Sequence, residues 1–139
     1  MRTTERYRKQ HSDILDIANS IANGLDANEI AKDASGIRMQ VANLIGKLQF
    51  HLTIEDKSVY PSLLNHSDAR VKNTAQRFNT EMGGIMKTVE GYKNNWSNAK
   101  KVQEAPAAFI RETKTILDAL VRRIEKENNE LYKMIDELE

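Results

Sequence analysis

No cysteine occurs in this chain, so disulfides, thiolate metal sites and thiol nucleophiles are excluded at the outset. Only two prolines and six glycines punctuate it, and strand-type alternation of β-branched residues is missing. No charge of one sign dominates: 21 Lys and Arg face 20 Asp and Glu, and the net charge is +1. The longest basic clusters are pairs such as Lys100-Lys101 and Arg122-Arg123, which offer neither a nucleic-acid groove nor a polybasic membrane patch. No apolar run approaches the ~18 residues of a bilayer span. The segment from Met1 to Arg6 lacks the apolar stretch of a signal peptide. These absences predict one cytoplasmic domain over residues 1–139 with no nucleic-acid or membrane partner. A domain of this length buries roughly 70% of its unfolded surface, enough for an ordinary core.

What is present is helical periodicity in four stretches. The first, from about Thr4 to Asn23, places Tyr7, His11, Ile14, Ala18, Ile21 and Leu25 on one stripe, and Gly24 stops it. The second, from about Ala27 to Leu64, is striped by Ile37, Val41, Leu44, Leu48, His51, Glu55 and Val59, with Gly36 as a point of breakage. After a turn at Asn65 to Asp68, where Ser67 or Asp68 is the expected N-cap, the third carries Val71, Ala75, Phe78, Met82, Ile85, Val89, Tyr92 and Trp96. Pro106 fits the first turn of the fourth, striped by Phe109, Ile116, Leu120, Arg123, Glu127, Leu131 and Met134. Four such helices with short connections predict an all-α, antiparallel up-down-up-down four-helix bundle.

Five stripe positions are polar: His11, His51, Glu55, Arg123 and Glu127. Charged side chains are almost never fully buried without a partner, and these lie near the middles of their helices. They are expected to meet at one level, with Met82 beside them. The second and fourth stretches also share a pattern, Leu48-x-x-His51-Leu52-x-x-Glu55-Asp56-x-x-Val59-Tyr60 against Leu120-x-x-Arg123-Ile124-x-x-Glu127-Asn128-x-x-Leu131-Tyr132. The first and third share a weaker one, Tyr7 and His11 against Phe78 and Met82. The chain reads as two related helix pairs, each giving half of a central site. His51 and Glu55, one turn apart, point the same way and can hold a common ion. Imidazole with carboxylate suits iron, zinc or manganese.

This pattern resembles the hemerythrin-like (HHE cation-binding) family. The run His51-Leu52-Thr53-Ile54-Glu55-Asp56-Lys57-Ser58-Val59-Tyr60-Pro61 is similar to that family's second-helix signature, and Ile124 through Tyr132 to the fourth. His11 occupies the first-helix ligand slot, and Glu81-Met82 falls where the family usually has Glu-His. Family members hold two irons between their helices for oxygen carriage or for sensing oxygen, nitric oxide or iron. The resemblance implies His11 and His51 as terminal ligands of one iron, with Glu55 and Glu127 as bridging carboxylates. The other iron would need histidines at the degenerate positions Met82 and Arg123. A thioether is a poor ligand for a hard cation, and a guanidinium brings its own positive charge.

The expectation is therefore a non-enzymatic, hemerythrin-like binding or sensory domain with an incomplete di-iron site. It is either a buried Arg–Glu–His network, in which Arg123 hydrogen-bonds Glu55 and Glu127, or a site for at most one metal, iron first. The alternative is a carboxylate-bridged metal protein for redox work or for binding oxygen or nitric oxide. Against the enzyme reading, no histidine follows a glutamate at the Glu-x-x-His spacing of ferritin-like enzymes. A small ligand or protein partner is left open, as is the oligomeric state. His66 reads as a solvated turn residue, and Tyr7, Tyr92 and Trp96 as packing at the bundle ends. Gly83-Gly84, inside the third helix, reads either as a close helix approach beside Met82 or as room for a small ligand.

Overall fold

A computed structural model of the chain describes residues 4–139 and is helical throughout, with no strand among them. The first expected helix forms as α1 (Thr4–Asn23). The glycine after it does not adopt the left-handed conformation usual for such stops, since no described glycine has a positive φ. The chain turns instead through a bond from the Gly24 N–H to Ile21 O at 3.0 Å, and Asp26 caps the next helix by accepting from Glu29 N.

The long second stretch is divided into α2 (Ala27–Lys32) and α3 (Ser35–Ile54). The break falls at Asp33 and Ala34, just ahead of Gly36. Asp33 is extended, and its carboxylate accepts from Ser35 N at 2.9 Å, an alternative to continuing the helix that aspartate offers the backbone. Ala34, fully buried, donates its N–H to Gln103 across the fold.

α3 runs into a π-helical turn, π1 (Glu55–Val59), before α4 (Tyr60–Leu64). Asp68 caps α5 (Ala69–Asn95) by accepting from Arg70 N at 2.9 Å. A short helix that periodicity did not reveal, α6 (Ala99–Glu104), follows under an Asn98 cap. Pro106 then opens α7 (Pro106–Lys126), which passes through a second π turn, π2 (Glu127–Leu131), into α8 (Tyr132–Leu138).

α1 packs along α3 and α7, α5 along α7, and α4 against α5, while α2 and α6 meet at one end. Two apolar clusters result. The larger gathers Ile14, Leu48, Leu52, Met82, Leu120 and Ile124 with the residues beyond them. The smaller gathers Tyr7, Val59, Tyr60, Phe78, Leu131 and Tyr132. In each of the first, second and fourth stretches a polar residue stands between the two clusters: His11 after Tyr7, His51 and Glu55 before Val59, Arg123 and Glu127 before Leu131. The polar layer thus sits within the core, walled by apolar side chains on both sides. No helix among the described residues is long and apolar enough to cross a membrane.

Candidate metal centre

All five polar stripe residues are buried: His11 and His51 at 1%, Glu55 at 0%, Glu127 at 2% and Arg123 at 4% exposure. One ligand atom from each of His11, His51, Glu55 and Glu127 lies within 4.8 Å of the others. His11 Nε2 stands 4.0 Å from Glu127 Oε2, and His51 Nε2 makes close contact with Glu55 Oε1. The two imidazoles lie with centroids 4.5 Å apart.

Both rings are aimed by amides. Asn128 Oδ1 is 2.9 Å from His11 Nδ1, and Gln10 Oε1 is 2.6 Å from His51 Nδ1. An amide oxygen only accepts, so each Nδ1 carries a hydrogen, and the His11 Nε2 turns a lone pair into the site. Such orientation of a ligating histidine by a hydrogen bond at its far nitrogen is the usual companion of a metal. Burial first, and His51 next, hold His11 down at about 4, which keeps its ring a neutral donor. Neither amide was singled out from sequence, although each adjoins a candidate ligand, Gln10 before His11 and Asn128 after Glu127.

Each carboxylate has one oxygen without a hydrogen bond, Glu55 Oε2 and Glu127 Oε2, and both are buried. Burial, and then the charge of Glu55, pushes the Glu127 carboxyl well above the ordinary range, with Arg123 opposing. For Glu55 burial acts upward too, but hydrogen bonds from His51 and Tyr132 and the charge interaction with His51 carry it below its usual value. Two buried carboxylates pushed in opposite directions, one of them by the charge of the other, are what a site short of positive charge looks like.

Arg123 answers only part of that demand, and not as expected. Its carboxylate partners among the described residues are Glu127, at 3.5 Å, and Glu81, at 2.9 Å, rather than Glu55. Its other nitrogen donates to Phe78 O at 2.5 Å, and the guanidinium lies 4.6 Å from the Phe78 ring centroid. One turn along α7 from Glu127, Arg123 is drawn to the α5 side of the layer, while Glu55 is held on the other side by Tyr132 and His51. Glu81 is a partner that sequence reasoning noted only as Met82's neighbour. Met82 itself is buried at 6% exposure.

Tyrosines complete the layer, and they too were missed as site residues. The Tyr132 hydroxyl donates to Glu55 Oε1 at 2.8 Å and lies 3.2 Å from His51 Nε2 and 3.3 Å from His11 Nε2. The Tyr60 hydroxyl is buried without a partner. Burial, reinforced by Glu55 and Glu127, raises both phenols above the usual range. Tyr132 reaches the ligand atoms, and Tyr60 is turned into the core, because each π turn adds a residue. Tyr60 N bonds Glu55 O and Tyr132 N bonds Glu127 O, each five residues back. In an uninterrupted α-helix a residue five along would point roughly 140° away.

Among the minor expectations, His66 stays outside the group, its Nδ1 accepting from Asp68 N in the turn. Tyr92 and Trp96 do pack at one end, around Phe109. Tyr7 does not: it lies edge-on to His51 and beside Tyr132, at the wall of the polar layer. Gly83 and Gly84 mark no close approach, because a Cβ on either would meet nothing within 4 Å. Gly83 instead lines a groove of about 240 Å³ with Leu52, Tyr60 and Met82.

Residues 2–135 match the family described as hemerythrin HHE cation binding domain, and the chain belongs to that family. No curated protein and no solved structure matches it.

Proposed function

We propose that this hemerythrin-family domain is a non-enzymatic binding or sensory module holding one metal ion, iron first, on His11, His51, Glu55 and Glu127. The observation that carries the reading is the surplus of acceptors. His11, His51, Glu55 and Glu127, all buried, each bring a ligand atom to within 4.8 Å of the others, and Glu55 Oε2 and Glu127 Oε2 have no hydrogen bond. That donor set fits iron, manganese or zinc. A bound ion would supply Lewis-acid charge and, if iron, one-electron chemistry.

The protein's own residues set the limits. Gln10 and Asn128 fix the imidazoles, and the two apolar clusters keep bulk water from the layer. Arg123, held by Glu127 and Glu81, places a fixed positive charge where a second ion would bind, and Met82 offers only a soft sulfur there. A single ion beside a resident cation is the consequence. We read the long helices as the antiparallel four-helix bundle expected from sequence, and residues 1–139 as one domain, cytoplasmic.

Anaerobic loading with ferrous iron, washing and elemental analysis should return one iron per chain. His11→Ala and His51→Ala should each abolish retention, whereas His66→Ala should leave it intact. Two tightly held irons would overturn the single-ion reading. Retention lost only with His66 would place the metal at the surface. Sustained turnover of reductant and oxygen by the loaded chain would move the assignment to the redox alternative.

A further inference from the structure

We infer that Tyr132 is a fifth ligand, its phenol oxygen bound directly to the metal held by His11, His51, Glu55 and Glu127. The inference rests on the single-metal reading and adds to it a donor that the histidine and glutamate pattern does not contain.

Distances carry the argument. Donors bound at right angles to one ion through bonds of about 2.0–2.2 Å stand about 3.0 Å apart, and donors on opposite sides about 4.2 Å. The Tyr132 oxygen lies 2.8 Å from Glu55 Oε1, 3.2 Å from His51 Nε2 and 3.3 Å from His11 Nε2, the separations of adjacent ligands. His11 Nε2 and Glu127 Oε2 stand 4.0 Å apart, within the span of two donors to one ion.

Hydrogen bonding alone does not account for the cluster. A phenol has one hydrogen, and that of Tyr132 goes to Glu55. His11 has its hydrogen on Nδ1, given to Asn128, so its Nε2 faces the phenol oxygen lone pair to lone pair, and His51 Nε2 stands 3.2 Å from the same oxygen. A cation among them turns these contacts into shared coordination. Tyr132 is also locked: it is fully buried, stacked on His11 at 5.0 Å between centroids and tilted against Tyr7 at 5.9 Å. Tyr60, the matching residue of π1, is buried but within hydrogen-bond reach of no ligand atom, which makes it the internal control. On coordination the Tyr132 O–H bond breaks and an oxygen–metal bond forms. The proton passes to solvent, and no electron moves.

Ferric iron bound to a phenolate absorbs in the visible, whereas ferric iron on imidazole and carboxylate alone does not give that charge-transfer band. The full chain, loaded with ferric iron and washed free of excess, should be coloured. Excitation into the band should enhance tyrosine ring vibrations in its resonance Raman spectrum. Tyr132→Phe, checked for helicity by circular dichroism, should lose the band and bind iron about 10–100-fold more weakly. Tyr60→Phe and Tyr7→Phe should keep the band. Affinity alone would not discriminate, since losing a hydrogen-bonded neighbour of a ligand costs as much; the band does. Iron bound by wild type without the band or the Raman enhancement, or a band that survives Tyr132→Phe, overturns the tyrosine ligand and leaves the metal site standing. Failure of wild type to bind iron at all overturns both.

Discussion

Arg123 has two carboxylate partners in unlike surroundings, so the two sides of one guanidinium are expected to matter unequally. Toward solvent it meets Glu81, whose side chain is 40% exposed and is shared with Lys126 at 3.2 Å. Exposed pairs contribute about 0–1 kcal/mol, so Glu81→Gln should shift the urea midpoint by an amount equivalent to under about 1 kcal/mol. Toward the core it holds Glu127 and the buried carbonyl of Phe78. Arg123→Leu strips both of their partner, and breaking one side of a buried pair costs about 3–5 kcal/mol. Equilibrium urea unfolding of both variants at neutral pH checks the asymmetry. Equal losses would mean that Arg123 works mainly as a surface ion-pair partner, and a loss for Arg123→Leu within about 0.5 kcal/mol of wild type would remove it from the buried layer.

Glycine inside a helix costs about 1 kcal/mol relative to alanine, and α5 carries Gly83 and Gly84 next to Met82. Because a Cβ at Gly84 meets nothing within 4 Å and the residue is exposed, Gly84→Ala should raise unfolding free energy by about 0.5–1 kcal/mol. Thermal melts with and without iron would test it; a lower melting temperature would expose a backbone requirement that the helix geometry does not display. The long elements were legible because amphipathic periodicity follows directly from burial: His11, His51, Glu55, Arg123 and Glu127 stood out as polar residues on apolar stripes, and all are buried. What period alone hides is a change of period. The π turns left a trace, since Glu55 with Tyr60 and Glu127 with Tyr132 repeat one spacing of five whose ends both face inward. At 3.6 residues per turn that spacing does not bring both ends to one face, so nothing in the period singled the tyrosines out. The split at Asp33 turned on one side chain competing for the Ser35 N–H, and α6 was too short for a stripe. Hydrogen-bond partners such as Gln10 and Glu81 depend on tertiary distances that no local pattern encodes.

Across the whole molecule the polar layer divides the apolar core, with Ile14, Leu48, Leu120 and Ile124 on one side and Tyr7, Phe78, Leu131 and Tyr132 on the other. A layer that leaves Glu55 Oε2, Glu127 Oε2 and Tyr60 Oη unpartnered weakens the metal-free fold, because each buried polar atom without a bond costs about 1–3 kcal/mol. Metal binding and folding are therefore linked. An ion that binds only the folded chain adds about 2.7 kcal/mol when free metal is a hundred times the dissociation constant. For a chain of this size that is a rise of roughly 10 °C in melting temperature. Wild type should gain that increment with iron and lose it to a chelator, saturating at one equivalent. Met82→His combined with Arg123→His removes the resident cation and supplies the two missing imidazoles. The double variant should be less stable than wild type without iron, since Glu127 and Phe78 O lose their donor. Its melting temperature should climb through two equivalents of iron instead of one. A double variant that still saturates at one equivalent would mean that Arg123 and Met82 are not what limits the site to a single ion, and that the spacing of the helices sets the limit.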